Sequence, residues 1–475
     1  MGWFANRLVS VASAWARRAA SLGLALAIIA ATLPWPAVAQ DAGQSKLTPV
    51  RDTEIEDLLR DYATPLFQAA GLNPRAIDIV LIADLDFNAF AADDHRIFVD
   101  LGTLIDSRTP NELIGVLAHE TGHIADGHIA ALRQKMHEAS TRAIIAMLVG
   151  LAAVAGGAAA GGSAGQGLMS AAPAALIGGP SLVARDLLAY RRGQEQAADN
   201  AGVKYLTMTG QSAKGMLDAF RRLDSQAMFG GGLGNPYLLD HPMPQERLAL
   251  LERLAKASPY FDRTDPPALV ARHRMAQAKA FAFLHDQGTT LRRYPPGDDS
   301  LPARYARAIA AYRFGAVDAA QREIDALIQR EPGNPYFWEL KGQALLEAGR
   351  ARQALAPLAK ALALKPGAAL IRVLYGTALI GTRDRKLNDQ AIRELKAAVA
   401  REPHDVDAFR ELAIALGRDG RLPDADLASA QAEFEEGHYP LAKQLATRAQ
   451  KGYPRGSPGW LRAGDIADYV VPKTQ

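Results

Sequence analysis

Two histidines four residues apart, with a glutamate directly after the first, stand in the run GVLAHETGHIADGH (115–128). On a helix, His119 and His123 project from one face, one turn apart, where a single ion can meet both imidazoles. Glu120 is then angled to take a proton from a water that the metal acidifies, as a general base does. The alternative is a chance grouping of polar residues on an ordinary helix. Two histidines leave a zinc site incomplete, because a catalytic zinc takes three protein ligands and keeps one position open. His128, five residues beyond His123, is expected to point away from the His119/His123 face, and the metzincin spacing would need a histidine where Ile129 stands. A stronger candidate lies in RRGQEQAADNAGVKYL (191–206), where Glu195 and Asp199 again share a helical face. Two histidines and a distant glutamate form a thermolysin-type ligand set, with Asp199 as an acceptor behind a ligand imidazole. A solvated charged face is the alternative there.

Several elements must position these side chains. The apolar spacing in IEDLLRDYATPLFQAAGL (55–72) predicts a helix, and the β-branched runs IDIVLIAD (77–84) and RIFVDLG (96–102) predict strands flanking FNAFA (87–91). PNELIGVLAHETGHIADGHIAALRQ (110–134) reads as one largely buried helix, with Pro110 at its start and Glu112 in its first turn. In LLDHPMPQERLALLERL, Pro242 and Pro244 interrupt any regular helix, which places His241 on a loop at a helix entrance.

The chain of 475 residues suggests about two or three domains, and 49% hydrophobic with 22% charged residues is an ordinary globular balance. A net charge of +3 without a basic cluster gives nucleic-acid binding no support, and the lack of cysteine removes disulfides and thiolate ligands. At the N-terminus, Arg7, Arg17 and Arg18 precede SLGLALAIIAATL (21–33), and Ala37 and Ala39 follow. This pattern predicts a secretory signal cleaved after Ala39 and a periplasmic mature protein, with an uncleaved anchor as the alternative.

HETGH (119–123), the E-x-x-x-D of 195–199, NAFA (88–91) and HPMPQER (241–247) resemble the zinc endopeptidases that include HtpX and the CAAX prenyl proteases. The signal and the helical repeats described below narrow the resemblance to periplasmic β-barrel assembly-enhancing proteases, across essentially the whole mature chain. The resemblance implies that His119, His123 and Glu195 bind one Zn2+ and that Glu120 is catalytic. It also implies that Asn88, Ala89, Phe90 and Ala91 form an edge strand on which substrate backbone pairs. It places His241 near the metal, where two roles follow: stabilising the oxyanion, or closing the open zinc position as a latch. The latch is the favoured reading.

Residues 143–184 carry no charge and are rich in Gly and Ala. They are expected to form an apolar flap beside the site that touches membrane or unfolded client, with a buried insertion or a membrane hairpin as alternatives. Pro332 and Pro366 lie 34 residues apart, the tetratricopeptide period. Registers starting at 301, 335 and 423 recover small residues at the expected places, among them Ala308, Gly342, Ala354 and Ala442, with a stretched unit near 369–405 and a half-unit at 406–421. Such repeats stack into a concave protein-binding surface. The expected fold is α+β, mostly α: a helical zincin-type protease domain with a small sheet (40–262), a linker with a bridging helix (263–300), a repeat solenoid (301–456) and a tail (457–475). The expected function is a zinc endopeptidase that degrades misfolded or stalled outer-membrane proteins and assists their assembly, its repeats binding the client or the assembly machinery. The alternative is a chaperone or assembly scaffold with a latent protease site.

Overall fold

The computed structural model describes residues 48–141, 179–229 and 235–471. The expected signal, residues 143–178 of the uncharged segment and residues 230–234 lie outside the described residues. From Thr48 onward the described residues form one compact unit. No helix among the described residues is long and apolar enough to cross a membrane.

The sheet holds β1 (Pro49–Val50), β2 (Asp78–Ile82), β3 (Ala89–Asp93) and β4 (Arg96–Asp100) in the order β1-β2-β4-β3. Inward-facing Leu81, Ile97 and Val99 are buried, which fixes the register of the parallel pair β2–β4. β3 runs antiparallel to β4 at the sheet edge, with a register irregularity between Ala91 and Asp93.

Around the sheet stand α1 (Thr53–Ala69), α2 (Leu101–Asp106), α3 (Pro110–Ala125), α4 (128–141), α5 (Gly179–Met208), α6 (Lys214–Phe229), α7 (Pro236–Asp240) and α8 (Gln245–Ala257). α3 is the axis of this half, and every residue from Pro110 to Ile124 is buried. Thr109 caps it by accepting the Glu112 N–H, and Pro110 occupies the first turn, where its missing N–H costs nothing. Gly122 lets α3 approach α5: an added Cβ would sit 2.9 Å from the Ala198 carbonyl oxygen. The expected single helix over 110–134 is corrected. It breaks at Asp126–Gly127, where Gly127 adopts φ +64°, a conformation that glycine alone takes without strain.

α9 (Pro267–Leu284) and α10 (Gln287–Arg293) follow, then the repeat helices α11 (Leu301–Arg313), α12 (Val317–Arg330), α13 (Pro335–Glu347), α14 (Ala351–Leu364), α15 (Ala369–Gly381), α16 (Asn388–Val399), α17 (Val406–Arg418), α18 (Leu422–Glu435), α19 (Tyr439–Lys451) and α20 (Pro458–Ala467). Consecutive helices pack on one another throughout. Gly342 shows why small residues recur, because a Cβ there would meet the Leu358 side chain. The half-unit at 406–421 is α17, which packs on both α16 and α18 and continues the array. The tail expectation is corrected too: α20 packs its Ile466 into the last repeat core.

α9 is more than a linker helix. Ala276, Ala280 and Phe281 enter the core shared with the sheet, while Met275, Ala278 and Ala282 enter the first repeat core. On this helix, buried Lys279 pairs with Asp52 at 2.8 Å, and Tyr305 of α11 donates to Glu54 at 2.9 Å. Thr53 donates to Glu339 at 2.7 Å. These bonds tie α1 directly to α11 and α13.

Candidate metal centre

α3, α5 and the turn after α7 bring His119, His123, Glu195 and His241 together, all buried, with one ligand-type atom from each lying within 4.8 Å of the others. His119 Nε2 is 3.1 Å from His123 Nε2 and 3.3 Å from His241 Nδ1. Glu195 reaches His119 Nε2 at 3.3 Å, His123 Nε2 at 3.5 Å and His241 Nδ1 at 3.0 Å. Three ring nitrogens and a carboxylate aimed at one point fit a zinc ion, which takes N and O donors in tetrahedral sets. His241 is 5% exposed, so it is no surface residue.

Glu120 stands beside this group without joining it. Its Oε2 accepts the Ala91 N–H at 3.0 Å, whereas its Oε1 is buried without a hydrogen-bond partner. That free oxygen lies 3.6 Å from His241 Nε2, which is likewise unpartnered. Burial pushes the Glu120 carboxyl up from its usual range. Burial pushes on Glu195 in the same direction, but His241 and His119 hold its carboxyl well below that range. Two carboxylates driven apart in this way suit different tasks: one binds a cation and the other exchanges a proton.

The rest of the site orients these groups. Asp199, fully buried, lies 2.9 Å from His119 Nδ1. Burial works against protonating His119, yet its contacts with Asp199 and Glu195 outweigh that and raise its pKa to about 9. Arg247 grips Asp199 with two hydrogen bonds, at 2.6 and 2.8 Å, and also reaches Glu195 at 2.9 Å. This arginine closes the HPMPQER run (241–247), and sequence alone assigned it no role. A signal was present: a cation in the first turn of α8 opposes the helix dipole and so needs an acid elsewhere to hold it.

His128 departs from expectation. The turn at Gly127 swings it back until its Nδ1 stands 3.1 Å from His123 Nδ1, on the side of that ring away from the cluster. Of the expected substrate strand, Phe90 and Ala91 line a cleft of about 210 Å³ together with Glu120, His123, Glu195 and His241. Ala89 is fully buried in β3, and Asn88 precedes the strand, with its carbonyl accepting the Thr103 hydroxyl.

Residues 49–255 match the model of Peptidase family M48. The chain is 26% identical over 421 residues to a putative β-barrel assembly-enhancing protease of Vibrio cholerae, covering 86% of this chain and 82% of that one. It is 23% identical over 383 residues to the β-barrel assembly-enhancing protease of Yersinia pestis, covering 79% and 75%. Among solved structures, YrrB, a TPR protein with an unusual peptide-binding site, aligns with 37% of this chain and 92% of its own at 16% identity and TM-score 0.31. In its first half the chain matches peptidase family M48, and over most of its length it is similar to β-barrel assembly-enhancing proteases.

Proposed function

We propose that this protein is a periplasmic zinc endopeptidase acting on misfolded or stalled outer-membrane proteins, with repeats that hold the client or its assembly machinery. The observation that carries the reading is the free Glu120 oxygen beside the converging His119, His123 and Glu195. The printed names of the similar proteins support the client class, and the signal-like N-terminus supports the compartment. In this reading 40–262 is the protease domain.

His119, His123 and Glu195 would hold the zinc ion, and the Asp199 carboxylate, 2.9 Å from His119 Nδ1, favours a proton on that nitrogen and so a bare Nε2 toward the ion. Bound zinc supplies Lewis-acid polarisation and acidifies water. Glu120 takes the proton from the attacking water at its Oε1 and delivers it to the departing amine. The Ala91 N–H holds the other oxygen, so the carboxylate presents one defined acceptor to the cleft. Phe90 and Ala91, on an edge strand, offer a wall along which an extended substrate lies.

His241 acts as a latch. Its Nδ1 lies 3.3 Å from His119 Nε2 and 3.0 Å from Glu195, so it would take the position that a catalytic zinc site keeps open. Metal analysis and proteolysis of an unfolded protein such as casein test both parts. Glu120→Gln is expected to keep zinc and lower turnover by about 10²–10⁴-fold, and unchanged turnover sinks the peptidase reading. His241→Ala is expected to raise basal turnover with zinc retained. A fall instead assigns His241 to the oxyanion and removes the latch.

A further inference from the structure

The two helix histidines are oriented by different partners. Asp199 stands behind His119, whereas an imidazole stands behind His123. We infer that His128 is a positioning residue for the metal centre, its bare Nδ1 accepting the Nδ1–H of His123 and so fixing which nitrogen His123 turns toward the other ligands.

The tautomers follow from the geometry. Two ring nitrogens 3.1 Å apart need one N–H and one lone pair between them. His123 Nε2 is the nitrogen that faces His119 and Glu195. A ligating nitrogen carries no proton, so a neutral His123 has its proton on Nδ1 and donates. His128 must then accept through Nδ1 and carry its own proton on Nε2, which lies 3.8 Å from an Asp126 carboxylate oxygen. Donation runs in one direction, from His123 to His128, and Asp126 stands near the far nitrogen of His128 as a charge, at 3.8 Å, without a hydrogen bond to it.

The fold builds this contact deliberately. The left-handed Gly127 interrupts the helix directly after α3, and Gln194 of α5 donates to the His128 carbonyl at 3.0 Å, which fixes its backbone. Both side chains are largely buried, at 10% and 11% exposure, so water competes little for the bond.

The inference rests on the proposed ligand set, and zinc affinity measured by chelator competition on the mature full-length chain tests the two separately. His128→Phe keeps a ring and removes the acceptor. It is expected to weaken zinc binding by about 10–100-fold. His128→Asn places an amide oxygen near the position of Nδ1, and is expected to restore affinity to within about threefold of the parent, the rescue that an acceptor role requires. Thermal unfolding of the metal-free variants separates misfolding from weak binding. If His128→Phe does not fold, the Asn variant and the nitrogen-15 shifts of the His123 ring decide: a protonated Nδ1 supports the inference and a bare Nδ1 overturns it. Parent-like affinity in a folded His128→Phe, while His123→Ala loses zinc, overturns the inference alone, as does a His128→Asn that binds as weakly as the Phe variant. Zinc retained by His123→Ala overturns the ligand set and the inference with it.

Discussion

The metal centre and the repeat array solve opposite problems. Around α3, groups far apart in sequence satisfy one another's charge in a dry interior: Arg247 serves Asp199, which serves His119. In the array, contacts run between consecutive helices, and the buried side chains are largely alanines such as Ala320, Ala354, Ala430 and Ala446. Removing one partner from the first region strands a buried charge. Altering one position in the second changes only local packing. The centre should therefore fail as a network, and the array one contact at a time.

Four substitutions sharpen that contrast, from the largest effect to the smallest. Glu195→Gln replaces an anionic ligand with a neutral amide. It should weaken zinc by more than the roughly 10–100-fold that loss of an outer hydrogen-bond partner costs. Stoichiometric, tight zinc in that variant, by metal analysis after dialysis, would mean that another side chain completes the site. Arg247→Met strands the Asp199 carboxylate in a site with no exposure. The expected loss is about 3–5 kcal/mol in denaturant unfolding, and a loss below about 1 kcal/mol would contradict the network picture.

Glu339 sits where the two regions meet, on α13 against α1. Burial raises its carboxyl from 4.5 to about 7, Lys279 opposing. Between those values the folded chain keeps a proton that the unfolded chain has released, so this group makes stability fall as pH rises through the window. Glu339→Gln should flatten that slope and add on the order of 1–3 kcal/mol above it. An unchanged profile of melting temperature against pH would show that the junction holds its charge without cost. Within the array, Gly342→Ala drives a Cβ into Leu358 and should cost about 1–3 kcal/mol. Hydrolysis of a short unstructured peptide should not change, and a large drop there would mean that the array supports the centre as well as the client.

What the residues declare on their own is periodic or local. The His119/His123 spacing is one helical turn, and the 34-residue period is one helix pair, so both can be read without knowing what packs against them. The same holds for Pro110 at a helix start and for the strands around Leu81 and Val99. Tertiary structure decided the contacts that no period encodes. Arg247 reaches Asp199 across 48 residues, and α9 belongs to two cores at once. His128 looked remote from the metal because a continuous helix would have carried it away. A single left-handed glycine, costless for Gly127 and strained for other residues, turned the chain and set that imidazole against His123.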